Sequence, residues 1–164
     1  MISHSQYFEK GWRISVGIVL LNDKRKIFMG ERIDNQGAWQ MPQGGVNITS
    51  NEKLFDAAKR ELYEETGVKN VQFLCESKNW YYYKLPEHLS SRLWRGKFIG
   101  QKQRWFVFNF LGIDREINIR CFKKPEFSNW KWVSPEMVSK EIISFKKEIY
   151  NKVLLEFKDY INPN

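Results

Sequence analysis

The sequence predicts a single domain in which helices pack over a mixed β-sheet, of either the α/β or the α+β class. The first observation is size, because 164 residues can bury a substantial core in one domain but are few for two. The second is composition, since 42% apolar and 28% charged residues are typical of a globular protein. The third is patterning: strand-like segments are interspersed with two helical segments, and no repeat or linker divides residues 1–164.

Strands are predicted where apolar residues recur at strand spacing. In residues 13–21 apolar side chains occupy both alternating sets of positions, which indicates a strand covered on both faces. In residues 104–113, Trp105, Val107 and Leu111 should face one way and the phenylalanines between them the other. Further strand segments are predicted at 26–32, 39–42, 71–85 and 129–134.

Two segments have helical periodicity. Residues 52–66 end before Gly67, a residue type that commonly terminates helices, and Thr49 or Ser50 is the expected N-cap. The C-terminal segment carries an apolar stripe with steps of three or four residues, which predicts a helix packed on the sheet. The members of the stripe are Ile142, Phe145, Ile149, Val153, Phe157 and Ile161.

The chain is basic, with 27 Lys and Arg against 19 Asp and Glu, and a net charge of +8. Such a surface attracts polyanions, including nucleotides, RNA and acidic membranes, although a lysine-rich proteome would explain the charge equally well. No apolar run approaches the roughly 20 residues of a membrane span, and the sequence lacks a separate basic amphipathic helix for a membrane surface. Residues 1–6 do not resemble a secretory signal, and two distant cysteines do not suggest disulfides or zinc. We therefore expect a cytoplasmic protein.

The chemistry of the sequence concentrates in residues 44–68, where a Gly-Gly turn precedes an acidic helix. On a helix, Glu61 lies on the same side as Glu64 and Glu65. These carboxylates repel one another, and a hard divalent ion such as Mg²⁺ would turn the repulsion into coordination. The alternative is a solvated face on which Arg60 pairs with Glu64. The glycines before and after the helix favour the metal site.

Residues 44–68 resemble the Nudix box, Gly-x5-Glu-x7-Arg-Glu-U-x-Glu-Glu-x-Gly-U, in which U is a bulky aliphatic residue. From Glu52 onward the spacing fits at every position, whereas seven residues instead of five separate Gly44 from Glu52. Further motifs over residues 12–158 are similar to those of the bacterial RNA 5′-pyrophosphohydrolase branch, which includes (di)nucleoside polyphosphate hydrolases. These motifs are Trp39-Gln40-Met41-Pro42-Gln43-Gly44-Gly45, Asn79-Trp80, Tyr83-Lys84-Leu85-Pro86, Gly100-Gln101-Lys102-Gln103-Arg104-Trp105-Phe106, Pro125-Glu126-Phe127 and Trp130-Lys131-Trp132-Val133-Ser134.

The resemblance implies an α/β fold of the Nudix type, an α/β/α sandwich with a mixed β-sheet between helices. It also implies Mg²⁺-dependent hydrolysis, with Mn²⁺ as an alternative ion, of 5′-triphosphate or diphosphate RNA ends to monophosphate. Diadenosine tetraphosphate hydrolysis is the alternative activity. The implied metal ligands are Glu61, Glu64, Glu65, Glu126 and the carbonyl of Gly44 or Gly45, and one of the three box glutamates would be the catalytic base. A non-catalytic binding module would have lost some of these acids, and none is missing.

Substrate contacts are implied by the same resemblance. The matching positions are Arg13, Arg32, Lys84, Lys102, Gln103, Ile143 and Phe145, the last two as a base-stacking site. The alternatives are exposed strand-end arginines and, for Phe145, ordinary core packing. Glu52 lies half a helical turn away from Glu61 and should brace the loop instead of binding metal. The expected partners are RNA 5′ ends or dinucleoside polyphosphates, without a membrane or an obligate protein partner.

Overall fold

The computed structural model describes residues 7–90 and 93–163. The prediction that there is no secretory signal concerns residues 1–6, which lie outside the described residues. Within these ranges eight strands form one sheet. The strands are β1 (Trp12–Leu21), β2 (Ile27–Arg32), β3 (Trp39–Gln40), β4 (Gln43–Gly45), β5 (Val71–Glu76), β6 (Tyr81–Lys84), β7 (Gly100–Phe110) and β8 (Phe127–Val133). The helices are α1 (Leu54–Thr66), α2 (Glu87–Ser90), α3 (Val138–Glu141), α4 (Ser144–Glu156) and α5 (Lys158–Ile161). None of these helices is long and apolar enough to cross a membrane.

The sheet is mixed, as predicted. Strands β1 and β7 run parallel along their whole length, from Trp12 opposite Gly100 to Leu21 opposite Asn109. The other pairings in the described chain are antiparallel, with the path β3-β2-β1-β7-β5 extended by β4 on β1, β6 on β7 and β8 on β2. The strand β1 therefore lies at the centre, and its N-terminal half pairs with β4, so Gly44 and Gly45 lie in a short strand and not in the predicted sharp turn.

Helices cover both faces of the sheet and bury two separate cores. On one face, Val19 and Trp105 pack with α4 and α5, and on the other, Ile18 and Phe106 pack with α1. The prediction that β1 is covered on both faces is confirmed, because every residue from Ile14 to Leu21 is buried. The predicted alternation of β7 is confirmed as well, except that Leu111 lies beyond the strand end and is exposed.

The predicted helix boundaries need two corrections. Helix α1 begins at Leu54 with Lys53 as N-cap, and the predicted caps Thr49 and Ser50 instead lie in a 3-10 turn, where both side chains bond Asn47. The C-terminal helix begins at Ser144 and is interrupted at Phe157. Ile142 lies before it in extended conformation and bridges to Trp39, so the apolar stripe continues past the helix start.

The segment 71–85 forms two strands rather than one. The chain turns after β5, where the Ser77 hydroxyl donates a hydrogen bond to the Asn79 carbonyl at 2.8 Å. The Ser77 backbone N–H still donates to the Trp105 carbonyl, so the turn remains attached to β7. Strand β6 then pairs with the first residues of β7, from Tyr81 opposite Gln103 to Lys84 opposite Gly100.

Candidate active site

The loop between β4 and α1 is held by an arginine from the helix. The Arg60 guanidinium donates to both carboxylate oxygens of Glu52, at 2.6 and 2.8 Å, and to the Gly45 carbonyl at 2.8 Å. Glu52 also accepts a hydrogen bond of 2.9 Å from the Asn47 N–H. Glu52 therefore braces the loop, in agreement with the prediction. The same loop contains a 3-10 turn, Ile48–Ser50.

Four glutamates line one cavity of about 480 Å³ beside this loop, namely Glu61, Glu64, Glu65 and Glu126. Glu65 is only 4% exposed, whereas the Glu64 side chain is 39% exposed. Glu61 lies directly against Gly44, where any Cβ atom would overlap its carboxylate. A side chain at this position would therefore displace the Glu61 carboxylate from the backbone, and glycine permits their close approach.

The electrostatics of the cavity favour a bound cation. Burial raises the pKa of Glu61 to about 7, against the opposing effect of Arg60. Burial raises the pKa of Glu65 well above its ordinary range, and the neighbouring charges of Glu61 and Glu126 add to this. Because the charges of these carboxylates repel one another, positive charge placed among them would be stabilised.

The carboxylates that line the cavity are suitable ligands for a divalent ion, although their side chains are not arranged around one common position. In the described ranges no three acidic, histidine or cysteine side chains already form a metal-binding group. Instead, Arg60 Nη1 donates to Glu61 at 2.8 Å and to Glu64 at 3.2 Å, so the pairing of Arg60 with Glu64 that belongs to the alternative interpretation is present. Four carboxylates around one cavity are hard oxygen ligands of the kind that Mg²⁺ and similar ions prefer.

Two arginines named in the sequence analysis lie next to the acids. The Arg13 guanidinium packs against Gly45, donates to Gln101 at 3.4 Å and lies 5.0 Å from the centroid of the Trp94 ring. Burial lowers the pKa of the Arg13 guanidinium, and the negative charge of Glu61 opposes this effect only in part. Arg32 donates to both oxygens of Asp34 and, at 3.1 Å, to the side-chain carbonyl of Gln40.

The structure adds Lys146, which the sequence analysis did not single out. This lysine is 3% exposed, and its Nζ donates to the Gln40 side-chain carbonyl at 2.8 Å. Burial lowers its pKa to about 7, and the nearby Arg32 contributes in the same direction. The sequence did contain a signal for the burial of Lys146, which is its position within the apolar stripe of the C-terminal helix. Four residues at helical spacing around it are buried in the structure: Ile142, Ile149, Tyr150 and Val153.

Neighbouring residues of β7 have different surroundings. Lys102 lies on the α1 face, where its Nζ donates to the Tyr7 carbonyl at 3.2 Å and sits 4.7 Å from the Trp80 ring centroid. Lys102 is not among the residues that line the acidic cavity, because its ammonium group is held by the Tyr7 carbonyl and by Glu9, at 3.4 Å, beside the Trp80 ring. Gln103 lies on the other face, fully buried, and donates to the Gln43 side chain at 3.4 Å.

A second cavity, of about 540 Å³, lies between β6 and α4. Phe145 and Lys84 line it, and the Phe145 ring is 6.1 Å from the Tyr83 ring. Phe145 is partly buried, so it packs on the core while leaving part of its surface to the cavity. Ile143 precedes α4 and packs against the same core. Lys146 Nζ lies 5.8 Å from the centroids of both the Tyr83 and the Phe145 ring, so the buried ammonium group is close to the aromatic residues of this cavity.

This geometry places acidic groups beside buried cations and an aromatic cavity, an arrangement suited to a nucleotide polyphosphate. Residues 11–153 match the NUDIX domain family. A Wolbachia pipientis (Culex pipiens, strain wPip) protein named RNA pyrophosphohydrolase is 45% identical over 153 residues, 93% of each chain. A Pelagibacter ubique (strain HTCC1062) protein with the same name is 46% identical, over 92% of this chain and 94% of its own.

The fold also matches solved structures. The structure of the E. coli dihydroneopterin triphosphate pyrophosphohydrolase superimposes with a TM-score of 0.68 and 21% identity, covering 89% of this chain and 99% of that one. The domain match extends from β1 to α4 and contains all four glutamates of the acidic cavity. Sequence, fold and relatives agree, and the chain belongs to the Nudix hydrolase family.

Proposed function

We propose that this protein is an RNA 5′-pyrophosphohydrolase that converts 5′-triphosphate or diphosphate RNA ends to 5′-monophosphates. The observation that carries the proposal is the pair of relatives of that name, which are 45–46% identical over at least 92% of each chain. The whole chain, residues 1–164, would act as a single Nudix domain. Its positive charge suits an RNA substrate.

Nudix hydrolases generally use divalent metal ions. For this chain we propose Mg²⁺, with Mn²⁺ as the alternative, because the donors in the acidic cavity are carboxylates. When bound, such an ion supplies positive charge to the phosphates and acidity to a water molecule. The proposed ligands are Glu61, Glu64, Glu65, Glu126 and the Gly44 carbonyl. Gly44 is supported as part of the site by its contact with the Glu61 carboxylate.

The roles of the chain's own residues follow from their positions. One of Glu61, Glu64 and Glu65 accepts the proton of the water that attacks phosphorus, while the anhydride bond breaks and the terminal phosphates leave. Arg13 and Arg32 bind phosphate oxygens, and the buried Lys146 beside Arg32 joins them.

The remaining residues either contact the nucleoside or position other side chains of the site. Phe145 with Ile143 stacks a base at the aromatic cavity, whose edge is formed by Lys84. Gln103 positions Gln43, whose own backbone N–H donates to Glu65 at 3.3 Å. Lys102 is given no role in this scheme, because its ammonium group is held by the Tyr7 carbonyl and by Glu9 and lies over the Trp80 ring.

We propose a cytoplasmic location, where RNA 5′ ends or dinucleoside polyphosphates are available as partners. The two cysteines support a reducing compartment, because Cys75 and Cys121 are both free thiols and Cys121 is exposed.

The test is product analysis with Mg²⁺ on triphosphorylated RNA and on diadenosine tetraphosphate in parallel. We expect 5′-monophosphorylated RNA and a larger kcat/KM on the RNA. A large preference for the dinucleotide would reverse the ranking of the two substrates. A Glu64→Gln variant that is folded and inactive on both serves as the control against a contaminating hydrolase.

A further inference from the structure

A short loop before β8 forms one wall of the acidic cavity. Phe122, Lys123 and Lys124 line the same cavity as the four glutamates. The loop is fixed on the last turns of α1, because the Phe122 ring packs edge-on against Tyr63 with ring centroids 5.4 Å apart. The Cys121 thiol donates to the Tyr63 carbonyl at 3.4 Å and strengthens this attachment.

The two lysines of this wall carry charge that the protein does not neutralise directly. Both are exposed, and in the part of the chain that the structure describes neither has a carboxylate within 4.0 Å. Both lysines line a cavity that is also lined by four acids, and neither forms an ion pair with any of them. A polyphosphate entering the cavity meets repulsion from the acids, and cations among the lining residues offset this repulsion.

The position of the loop gives the phosphate chain a direction. Lys146 Nζ lies 5.8 Å from the centroids of the Tyr83 and Phe145 rings, which line the aromatic cavity. The charge of Lys146 interacts with Glu65, and Glu65 in turn interacts with Glu61 and Glu126. The loop lies beyond these acids, on the side of Tyr63. A nucleotide whose base lies at the aromatic cavity would thus extend its terminal phosphates toward the loop.

We propose that Lys123 and Lys124 bind the terminal phosphates of the substrate, the group that leaves as pyrophosphate or phosphate. This assignment rests on the proposed function, because it takes the substrate to be a 5′-polyphosphate. The physical basis is a charge-assisted hydrogen bond from each ammonium to a phosphate oxygen. A triphosphate places one more phosphate on this side than a diphosphate and should depend more on the two lysines.

The test compares Lys123→Ala/Lys124→Ala with the matched double variant Lys24→Ala/Lys26→Ala. Lys24 and Lys26 are also exposed, and they lie in the turn at the other end of β1. Calorimetry with inorganic pyrophosphate and Mg²⁺ should show about a tenfold weaker Kd for the loop variant and an unchanged Kd for the control. The arginine variant Lys123→Arg/Lys124→Arg should restore most of the affinity.

Kinetics provide the second readout. The loop variant should raise KM for triphosphorylated RNA about tenfold, raise it less for diphosphorylated RNA, and leave kcat within about twofold. Equal pyrophosphate affinity of the two double variants, or a wild-type protein that does not bind pyrophosphate, would overturn the assignment. Loss of pyrophosphate affinity in a protein that does not hydrolyse RNA would overturn the proposed function alone, since the calorimetry requires no turnover.

Discussion

Replacing Lys146 by methionine should make the protein more stable and less able to bind phosphate. The lysine is 3% exposed and holds its ammonium group against Gln40 in the core beside the site. Burial lowers its pKa from the ordinary 10.5 to about 7, an effect increased by Arg32 and opposed by Glu65 and Asp34. The folded protein therefore holds this charge only at a cost.

The size of that cost can be worked out from the pKa. A pKa lowered from 10.5 to about 7 corresponds to an unfavourable free energy on the order of 5 kcal/mol at pH 7 and below. The variant loses the hydrogen bond to Gln40, but Arg32 still donates to the same oxygen at 3.1 Å, so that acceptor stays satisfied. We expect a net gain of about 2 kcal/mol, in the range found when buried charges are replaced by apolar groups.

The gain should depend on pH in a defined direction. Between pH 7 and 10.5 the unfolded chain keeps a proton on Lys146 that the folded chain has released, so wild-type stability rises with pH relative to the variant. The difference should be full at pH 7 and below and should shrink at higher pH. Urea unfolding of both proteins at pH 6.5, 7, 8 and 9 measures it.

The control is Lys147→Met, which removes the same charge from the exposed neighbour on α4 and should leave stability nearly unchanged. The Lys146→Met variant should also have a higher KM for RNA. A variant that is more stable but binds RNA more weakly shows that Lys146 serves substrate binding although it destabilises the fold. A variant that is less stable at pH 7, or a difference that does not change with pH, would refute the reasoning.

Three further changes test the site. Glu64→Gln should keep the fold and RNA binding and lower turnover by orders of magnitude, and unchanged turnover in a steady-state assay would remove Glu64 from the site. Gly44→Ala should press a Cβ atom against the Glu61 carboxylate, so metal affinity measured by calorimetry should fall at least tenfold, and full affinity would argue against the contact. Arg60→Ala should cost about 2 kcal/mol in urea unfolding because the bonds to Glu52 and Gly45 are lost. Arg60→Lys should recover only part of that stability, since an ammonium cannot bond both carboxylate oxygens in a fixed plane.

Much of the fold could be predicted because it depends on local patterning. The burial of β1 on both faces and the alternation of β7 follow from side chains that point in turn to opposite sides of a strand. The acidic group could be predicted for the same reason, since Glu61, Glu64 and Glu65 share one helix side whatever the rest of the chain does.

The features that the sequence did not predict depend on contacts between segments that are distant along the chain. Adjacent residues of one motif, Lys102 and Gln103, lie on opposite faces, and the motif does not say which face borders the site. Helix α1 begins at Leu54 instead of the predicted residue 52, because the Glu52 side chain is bonded to Arg60 and to the Asn47 N–H of the loop. Lys146 was missed because its burial depends on packing of α4 against the sheet.

The most direct test of the account is a calorimetric titration of the wild-type protein and the variants Glu61→Gln, Glu64→Gln and Glu65→Gln with Mg²⁺ and with Mn²⁺. We expect the wild type to bind a divalent ion at millimolar concentration or below, and each variant to bind it at least tenfold more weakly. Thermal unfolding without metal checks that the variants are folded. Absence of binding to the wild type, or equal binding by all four proteins, would contradict the assignment of these glutamates as the metal site.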